Sequence, residues 1–342
     1  MKIAQVCPRY YPYIGGVEYV VKSITERLTK LGHKVIVLAG EPGADQPREE
    51  FVNGVKIVRW PTWSLKEAYH FPRNRSELKR LLRDLTKGVE VIHIHSIHAL
   101  FTVFSGLTIK SSNRSVKIVI TPHYHGSGHT ILRRLLWVYW KRKISALLSN
   151  VDVVHAVSKR EALLINLHYP RIQEKIVIVP NGVEEDVFNY RWQGQNSDYI
   201  IYAGRIEKYK RLELAMGIAK KLGLKLLIVG QGPYRNKLER YTEEKYKGMV
   251  EFLEPQPRDE YLELLSKARY AVNPSKHEAY SIFTAEALAM GVPAIVSREI
   301  AKNLEAKSKP FNKELVFVVK AAVKTWNEIV QIYLGKLYSG DT

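Results

Sequence analysis

The stretch YAVNPSKHEAYSIFTAEALAMGVPAIVS, residues 270–297, decides the fold class of this chain. It contains two short runs, Tyr270–Asn273 and Pro293–Val296, that are apolar on both faces. Such runs are typical of parallel strands buried between layers of helices. The residues between them predict a helix that contains Glu286. The stretch therefore predicts a strand, a helix and a second strand, which is the repeating unit of a doubly wound α/β sheet.

The same alternation extends over the rest of the chain. Further strand patterns are Ile3–Cys7, Lys34–Ala39, Val55–Trp60, Glu90–His95, Lys117–Thr121, Asp152–Val157, Lys175–Val179, Tyr199–Ala203, Lys225–Val229 and Met249–Leu253. Gly15–Leu31 and Ser158–Leu167 predict helices, and Ser158 with Glu161 forms a capping-box pattern. Because 342 residues exceed one ordinary domain, the pattern predicts two Rossmann-like, doubly wound α/β domains with a cleft between them.

Polar and helical segments suggest where the domains end. The polar stretch Asn189–Asp198 lacks apolar periodicity and predicts a linker. We therefore expect an N-terminal domain over residues 1–188 and a C-terminal domain over residues 189–311. The tail, residues 312–342, predicts a helix, because apolar residues recur in it at helical spacing. These residues are Trp326, Ile329, Ile332, Tyr333 and Leu337.

The composition excludes several classes of protein. The chain has 46% hydrophobic and 25% charged residues, as in a folded globular protein. Its single cysteine, Cys7, excludes an internal disulfide and a cysteine-based zinc site. No apolar run approaches the roughly 20 residues of a membrane span, and the N-terminus begins as a strand. We therefore expect a cytoplasmic protein.

The charge distribution points to an anionic partner. The formal net charge of +19 attracts nucleic acid, anionic lipid or phosphorylated substrates, although a lysine-rich surface also serves solubility. Aromatic and cationic residues do not interleave in a base-stacking motif, which disfavours nucleic acid. The segment Ile131–Leu148 predicts a basic amphipathic helix that could lie on anionic lipid or pack on the sheet of its own domain.

The loops that follow strands are the expected ligand sites of such folds. In the loop Pro8–Glu18, Gly15 and Gly16 precede a helix and let backbone N–H groups approach an anion. The GxGxxG fingerprint is absent there, which disfavours a nicotinamide or flavin enzyme. The loop Thr121–Gly128 places His123 where it could touch a substrate.

Three other histidines accompany the fourth predicted strand. They are His93, His95 and His98. Metal binding by this group is conceivable, because His93 and His95 share one face of the strand. No carboxylate or cysteine stands nearby at ligand spacing, so we expect these histidines to line the cleft or the core.

Loops of the second domain carry cations and glycines. Gly204 precedes Arg205 and Lys210, whose side chains could neutralise a diphosphate. Gly230 and Gly232 follow the next strand and again permit close approach of the backbone.

Two carboxylates flank the start of the helix in the opening stretch. Glu278 lies in the loop after the strand, and Glu286 lies in the helix that follows. That offset can aim both carboxylates into one pocket, where each can accept hydrogen bonds from vicinal hydroxyls of a sugar or ribose ring.

Taken together, these motifs resemble the family-4 retaining glycosyltransferases of the GT-B fold. The residues that carry the resemblance are Gly15-Gly16-Val17-Glu18, Thr121–Gly126, Pro180-Asn181-Gly182-Val183, Gly204-Arg205 with Lys210, Gly230-Gln231-Gly232-Pro233, and Pro274-Ser275 with Glu278, Glu286-Ala287 and Gly291-Val292-Pro293. They occur in the family's order along residues 1–297. The resemblance implies a nucleoside diphosphate sugar as donor, an acceptor glycan or lipid-linked acceptor, and a final helix that crosses back to the first domain.

The resemblance also implies a role for each matching residue. Gly16, Arg205 and Lys210 would meet the diphosphate of the donor, His123 and Glu278 its sugar. Glu286 would bind the ribose hydroxyls. The backbone N–H groups that would complete the site are those around Ser281, Ile282 and Phe283. It further implies retention at the anomeric carbon, no metal and no other cofactor.

Three positions depart from the family pattern. Glu278-Ala279-Tyr280-Ser281 stands where the family usually has Glu-Gly-Phe-Gly, and Lys210-Arg211 stands where it has Lys-Gly. After Ser297 a glycine-rich segment is replaced by REIAKNLEAKSKPFNKE. These departures leave the donor base and sugar open. A sugar-nucleotide epimerase on the same fold is the alternative enzyme, and it would act without an acceptor.

Overall fold

The computed structural model describes residues 1–13, 15–65, 68–112, 115–124, 126 and 131–339, with the side chains of residues 65, 68 and 131–139 outside that description. The chain forms two compact units. The first comprises Met1–Asn181 with Trp326–Thr342, and the second comprises Gly182–Thr325. Each contains a mostly parallel sheet whose strands alternate with helices along the chain. The predicted α/β class with two Rossmann-like domains is confirmed.

The first unit is built on a nine-stranded sheet. Its strands are β1 (Lys2–Cys7), β2 (Lys34–Pro42), β3 (Arg48–Val52), β4 (Val55–Leu65), β5 (Ala68–Pro72), β6 (Val91–His95), β7 (Lys117–Thr121), β8 (Val153–Ala156) and β9 (Ile176–Ile178). Its helices are α1 (Gly16–Lys30), α2 (Arg75–Gly88), α3 (Leu100–Ser112), α4 (Ile131–Asn150) and α5 (Lys159–His168). The strand order is β3-β4-β2-β1-β6-β7-β8-β9, with β5 on β4. Strands β3 and β5, which the sequence pattern did not predict, run antiparallel to β4.

The second unit is built on a seven-stranded sheet. Its strands are β10 (Tyr199–Ala203), β11 (Lys225–Val229), β12 (Val250–Leu253), β13 (Ala271–Asn273), β14 (Ala294–Ser297), β15 (Lys307–Pro310) and β16 (Leu315–Lys320). Its helices are α6 (Leu212–Leu222), α7 (Arg235–Lys245), α8 (Arg258–Lys267), α9 (Ile282–Ala289) and α10 (Arg298–Asn303). The order is β12-β11-β10-β13-β14-β16-β15, and β10 to β14 are parallel. The unpredicted strands β15 and β16 form an antiparallel hairpin against β14.

The boundaries of the two units differ from the predicted ones. The polar stretch 189–198, predicted as a linker, packs on the second unit, because the indole Nε1 of Trp192 donates to the carbonyl of Ala268 at 2.9 Å and the N–H of Gln193 donates to that of Ser266 at 2.9 Å. Residues 312–325 also belong to the second unit, because β16 lies among them. The C-terminal helix, predicted from residue 312, is α11 (Trp326–Tyr333), and a π-helical turn (Leu334–Tyr338) follows it.

Helix α11 belongs to the first unit. Its residues Trp326, Ile329 and Tyr333 are fully buried, and the Trp326 ring lies 6.2 Å from that of Tyr19 on α1. The apolar residues that recur at helical spacing in the tail therefore form the face of α11 that packs within the first unit. Burial of such side chains contributes roughly 1.5–3 kcal/mol each.

Helix α4 contains the segment predicted to be amphipathic. In its second half Ile144 and Leu147, two apolar residues of that segment, lie with Leu148 in the core of the first unit. These residues therefore pack on the protein itself, while the first half has its side chains outside the described part. Among the described helices, none combines the length and the hydropathy that a membrane span requires.

Candidate functional site

The loop after β10 carries the first two predicted cations. Gly204 has a φ of +141°, a conformation that side chains rarely adopt, and it turns the chain sharply at the end of the strand. The Arg205 side chain is about one-third exposed and its Nε lies 3.0 Å from a carboxylate oxygen of Glu207. Lys210 ends a short 3₁₀ helix, and its side chain is largely buried.

Glycines pack closely around this loop. Gly230, with a φ of +135°, follows β11, and a Cβ there would collide with the carbonyl of Gly204. A Cβ on Gly232 would collide with the carbonyl of Ile206. The predicted glycines thus bring two strand-end loops into backbone contact, and only glycine fits at either position.

Lys210 and Glu278 form a largely buried ion pair. The ammonium Nζ lies 2.5 Å from Glu278 Oε1, and the two side chains are 12% and 14% exposed. Burial opposes the charge of Lys210, but the carboxylate of Glu278, together with Tyr202 and Tyr209, outweighs burial and holds the pKa of Lys210 above its ordinary value. Lys210 is therefore a permanent cation. The structure brings together a predicted phosphate-binding residue and a predicted sugar-binding residue that are 68 positions apart.

The loop of Glu278 leads into α9. Ser281 is the N-cap, and its hydroxyl accepts from the N–H of Thr284 at 3.3 Å and from the Asn273 amide at 3.0 Å. The N–H groups of Ile282 and Phe283 have no partner within a helix, since they belong to its first turn. Such a helix start favours an anion. Ser281 replaces the family's usual glycine and takes the capping role in this chain.

Glu286 lies in the last part of α9 and is 3% exposed. Its Oε1 accepts from an Arg258 amino group at 2.6 Å, and its Oε2 accepts from the Tyr261 hydroxyl at 2.7 Å. Burial raises the pKa of Glu286, whereas Arg258 and Tyr261 lower it, and burial prevails. Arg258 in turn donates to both carboxylate oxygens of Asp186, at 3.0 and 2.9 Å. Sequence reasoning did not identify Arg258, Tyr261 or Asp186.

The segment that departs from the family pattern after Ser297 contacts the site. It forms α10 and the β15–β16 hairpin. The Asn303 amide, at the end of α10, donates to the backbone carbonyl of Glu278 at 2.7 Å. Glu314, at the turn of the hairpin, pairs with Arg211. The segment that stands in place of the family's glycine-rich one therefore supports the Glu278 loop. No sequence motif in that segment had indicated this contact.

In the first unit, Gly15 and Gly16 begin α1 as predicted. A Cβ on Gly15 would collide with the carboxylate of Glu18, while a Cβ on Gly16 would meet nothing within 4 Å. Glu18 is held by Arg9, whose Nε lies 2.8 Å from its Oε1, and both side chains are largely buried. The ion pair fixes the loop, and Gly16 leaves its backbone open to approach.

His123 lies in the loop after β7, in a left-handed conformation with a φ of +49°. Burial lowers the pKa of His123 to about 3, so its ring is neutral near pH 7. The next N–H, of Tyr124, donates to Glu161 Oε1 at 2.5 Å, and the N–H of Val157 donates to Glu161 Oε2 at 2.7 Å. Glu161 therefore fixes the His123 loop instead of returning to the N–H of Ser158, as the predicted capping box requires. The other half of the box is present, because Ser158 Oγ accepts from the Glu161 N–H.

His93 and His95 on β6 and His155 on β8 are core residues, whereas His98 is half-buried. His93 shares 2.7 Å hydrogen bonds with the hydroxyls of Tyr338 and Thr121, and Thr121 shares one of 2.7 Å with His155. His95 shares one of 2.8 Å with the side-chain carbonyl of Gln5. Burial lowers the pKa of His93, His95 and His155, the last to about 4. Within the residues that the structure describes, no group of three or more His, Cys, Asp or Glu side chains could hold a metal ion.

Each unit therefore has a candidate site of its own. The second unit combines a buried cation, a carboxylate beside it, a helix start and a second buried carboxylate. These are the kinds of group that bind phosphates and the hydroxyl pairs of sugar rings. The first unit presents an open glycine at a helix start and a neutral histidine.

Two family models match the chain. The one described as Glycosyltransferase Family 4 matches residues 14–187, and the one described as Glycosyl transferases group 1 matches residues 186–330. Both correspond to the family that the sequence motifs resemble.

Several relatives are similar over most of the chain. The phosphatidylinositol N-acetylglucosaminyltransferase GPI3 subunit of Saccharomyces cerevisiae is 21% identical, over 90% of this chain and 72% of its own. A glycosyltransferase of Methanocaldococcus jannaschii, MJ1607, is 27% identical, over 87% of this chain and 80% of its own. The GDP-mannose-dependent alpha-mannosyltransferase of Mycobacterium tuberculosis is 22% identical, over 86% and 78%.

Solved structures share the fold. The sucrose-phosphate synthase of Thermosynechococcus elongatus superposes with a TM-score of 0.69 at 17% identity, over 98% of this chain and 90% of its own. Anabaena HepE in complex with UDP gives a TM-score of 0.69 at 13% identity, with the same coverage. These likenesses show the GT-B fold.

Proposed function

The chain belongs to Glycosyltransferase Family 4, and from that premise we propose that it transfers a sugar from a nucleoside diphosphate sugar to an acceptor with retention at the anomeric carbon. The Lys210–Glu278 pair beside the start of α9 carries the proposal. A cation for phosphate, a carboxylate for sugar hydroxyls and a helix start for an anion occur together there. These are the groups that the two ends of such a donor require.

The ion pair prepares both residues for the donor. Without ligand, Lys210 and Glu278 neutralise each other at low exposure. When the donor binds, the ammonium faces the diphosphate and the carboxylate accepts from hydroxyls of the sugar. As the sugar–phosphate bond breaks, negative charge grows on the diphosphate, so Lys210 and Arg205 stabilise the transition state more than the bound donor. The N–H groups of Ile282 and Phe283 add to this stabilisation.

The first unit contributes a neutral histidine and a helix start. With its pKa lowered to about 3 by burial, His123 can exchange hydrogen bonds with sugar hydroxyls without carrying a charge. The N–H of Gly16, at the start of α1, would meet the phosphates from this unit.

The reaction is proposed to be independent of divalent metal. Arg205, Lys210 and the start of α9 supply the positive charge that a metal would bring to the diphosphate. Turnover is expected to be unchanged by a chelator, and a strict requirement for a divalent ion would contradict this part of the proposal.

The acceptor is proposed to be lipid-linked, at the inner face of the cell membrane. The net charge of +19 favours an anionic surface, and the name of the yeast relative gives phosphatidylinositol as what that protein glycosylates. Ile144 and Leu147 of α4 are buried in the core and are therefore not the groups that would contact lipid. Sedimentation with vesicles of rising anionic content, repeated at high salt, tests this proposal. Protein that stays in the supernatant at every composition would favour a soluble acceptor.

Replacement of Lys210 tests the central assignment. Lys210→Met is expected to lower turnover by about 10²-fold, with a smaller loss of donor affinity, because the charge acts mainly as the bond breaks. Lys208→Met is the matched control, since it removes an exposed cation from the same 3₁₀ turn. The assay is hydrolysis and transfer over a panel of nucleotide sugars. Equal turnover of the two variants would refute the assignment, and conversion of the donor without acceptor or hydrolysis would select the epimerase.

A further inference from the structure

We propose that Arg258 is a positioning residue for donor binding: it holds the Glu286 carboxylate ionised and oriented so that the carboxylate can receive the ribose hydroxyls. The inference rests on the proposed function, in which Glu286 binds the ribose. It assigns a role to a residue on another helix, α8, that carries no recognisable motif.

The first support is the geometry around Arg258. Its guanidinium spans two carboxylates, with Nη1 2.6 Å from Glu286 Oε1 and with Nε and Nη2 3.0 and 2.9 Å from the two oxygens of Asp186. The bidentate pair with Asp186 fixes the plane of the guanidinium. Arg258 therefore reaches Glu286 from a fixed direction, and a lysine could not hold both carboxylates in this way.

The second support is the use of the Glu286 oxygens. An ionised carboxylate has about four lone-pair sites. Arg258 takes one on Oε1, and the Tyr261 hydroxyl takes one on Oε2. This arrangement leaves one acceptor site on each oxygen, which matches the two adjacent hydroxyls of a ribose ring.

The third support is the charge balance of the buried carboxylate. Glu286 is 3% exposed, and burial raises its pKa, while Arg258 and Tyr261 act in the opposite direction. Asp186 also raises that pKa, although less than the other groups. Without Arg258 the carboxyl group would hold its proton to a higher pH. A protonated Glu286 loses acceptor capacity, so the binding of hydroxyls would weaken.

The experiment measures the affinity of nucleoside diphosphates by titration calorimetry. UDP, GDP and ADP are screened first, and the one that binds is used between about pH 6 and pH 9. The variants are Arg258→Met, Arg258→Lys, Glu286→Gln and the double variant Arg258→Met with Glu286→Gln. Lys267→Met is the matched control, because Lys267 lies on the same helix and pairs only outward with Glu263 among the contacts described. Thermal unfolding without ligand checks that each variant is folded.

Arg258→Met is expected to weaken binding at least tenfold near neutral pH, and to move the pH at which binding is half-maximal upward from that of the wild type. Arg258→Lys is expected to restore the pH profile but only part of the affinity. The double variant is expected to bind about as weakly as Glu286→Gln alone, because both changes remove the same function, the binding of the ribose hydroxyls by Glu286. Lys267→Met is expected to leave affinity and pH profile unchanged.

The outcomes separate the inference from its premise. If Glu286→Gln binds as the wild type does, the ribose role of Glu286 fails and the premise with it. If Glu286→Gln binds weakly while Arg258→Met binds normally, or if the losses of the two variants simply add, the positioning role of Arg258 is overturned. If Arg258→Met does not fold, the affinity and pH profile of Arg258→Lys decide by the same criteria.

Discussion

Replacement of Glu161 by glutamine tests how the His123 loop is held. The Glu161 carboxylate is 1% exposed and accepts from two backbone N–H groups, those of Tyr124 and Val157. Burial raises its pKa from the ordinary 4.5 to about 7, against the two N–H groups, which lower it. The side chain of Glu161→Gln keeps its size but has no proton to lose.

The sign of the effect follows from the raised pKa. Below pH 4.5 the carboxyl group of the wild type is protonated in the folded and in the unfolded chain. As the pH rises toward 7, the unfolded chain loses the proton first, so the wild type loses stability relative to the variant. The difference of about 2.5 between the pKa of Glu161 in the folded and in the unfolded chain corresponds to about 3 kcal/mol of unfolding free energy. This full loss is reached once the pH exceeds about 7. The glutamine side chain of the variant also directs one of its own N–H groups at a backbone N–H group. This contact between two donors lowers the stability of the variant by about 1–3 kcal/mol at every pH.

The assay is urea unfolding followed by tryptophan fluorescence at several pH values. Of the six tryptophans only Trp192 lies in the second unit, so the signal reports mainly on the first. The quantity of interest is the stability of wild type minus that of the variant, because pH effects common to both cancel. Glu174→Gln makes the same change at an exposed position of the same unit, and its difference is the baseline for comparison. A difference for Glu161→Gln that varies no more than this baseline from pH 4 to about pH 8 would refute the raised pKa and the buried bracing role.

Two further predictions concern residues that the structure places in the core or at a tight turn. Burial lowers the pKa of His155 to about 4, so stability that is present above pH 6.5 is lost as the pH falls toward 4, by up to about 3 kcal/mol. His155→Gln should reduce this loss of stability at acid pH in the same unfolding assay. Gly230→Ala should lower thermal stability by about 2–4 kcal/mol, since it combines a positive φ with a collision against the Gly204 carbonyl, whereas Gly223→Ala, with a φ of +66° and open space around it, should cost only about 1 kcal/mol. Equal losses for the two alanine variants would contradict the collision.

The regular parts of the fold were predictable because buried parallel strands have a local signature. Runs such as Ile3–Cys7 and Tyr199–Ala203 are apolar on both faces, and the structure pairs them as central strands. Edge strands lack this signature: Arg48–Val52, which reads REEFV, has three charged residues before its two apolar ones and was not predicted. Strand β15 was missed for a related reason, since every residue of Lys307–Pro310 is exposed.

Local patterns also misled where a tertiary partner was available. The spacing of Ser158 and Glu161 indicates a capping box, but the carboxylate bonds the N–H of Tyr124 from a distant loop. Arg211 stands where the family usually has glycine, and the sequence alone indicated only a departure from the family pattern there. The structure shows that Arg211 has a φ of +58°, so the backbone shape that favours glycine is retained by a residue that pairs with Glu314.

Some residues of the candidate site could be predicted from local sequence, whereas others could be identified only from contacts between distant parts of the chain. Lys210, Glu278 and Ser281 lie in strand-end loops and at a helix start, where the fold itself indicates a ligand, and Glu286 lies in the helix that follows. Motif spacing was enough to predict these four residues as ligand groups. Arg258 lies 28 positions before Glu286 in an ordinary charged helix, and only the tertiary contact distinguishes it from exposed cations of the same helix such as Lys267. A carboxylate that is only 3% exposed must be accompanied by a counter-charge or hydrogen bonds, because an isolated buried charge is too costly to persist. The buried position of Glu286 therefore requires a partner such as Arg258, although the sequence could not say which of the 53 lysines and arginines it is.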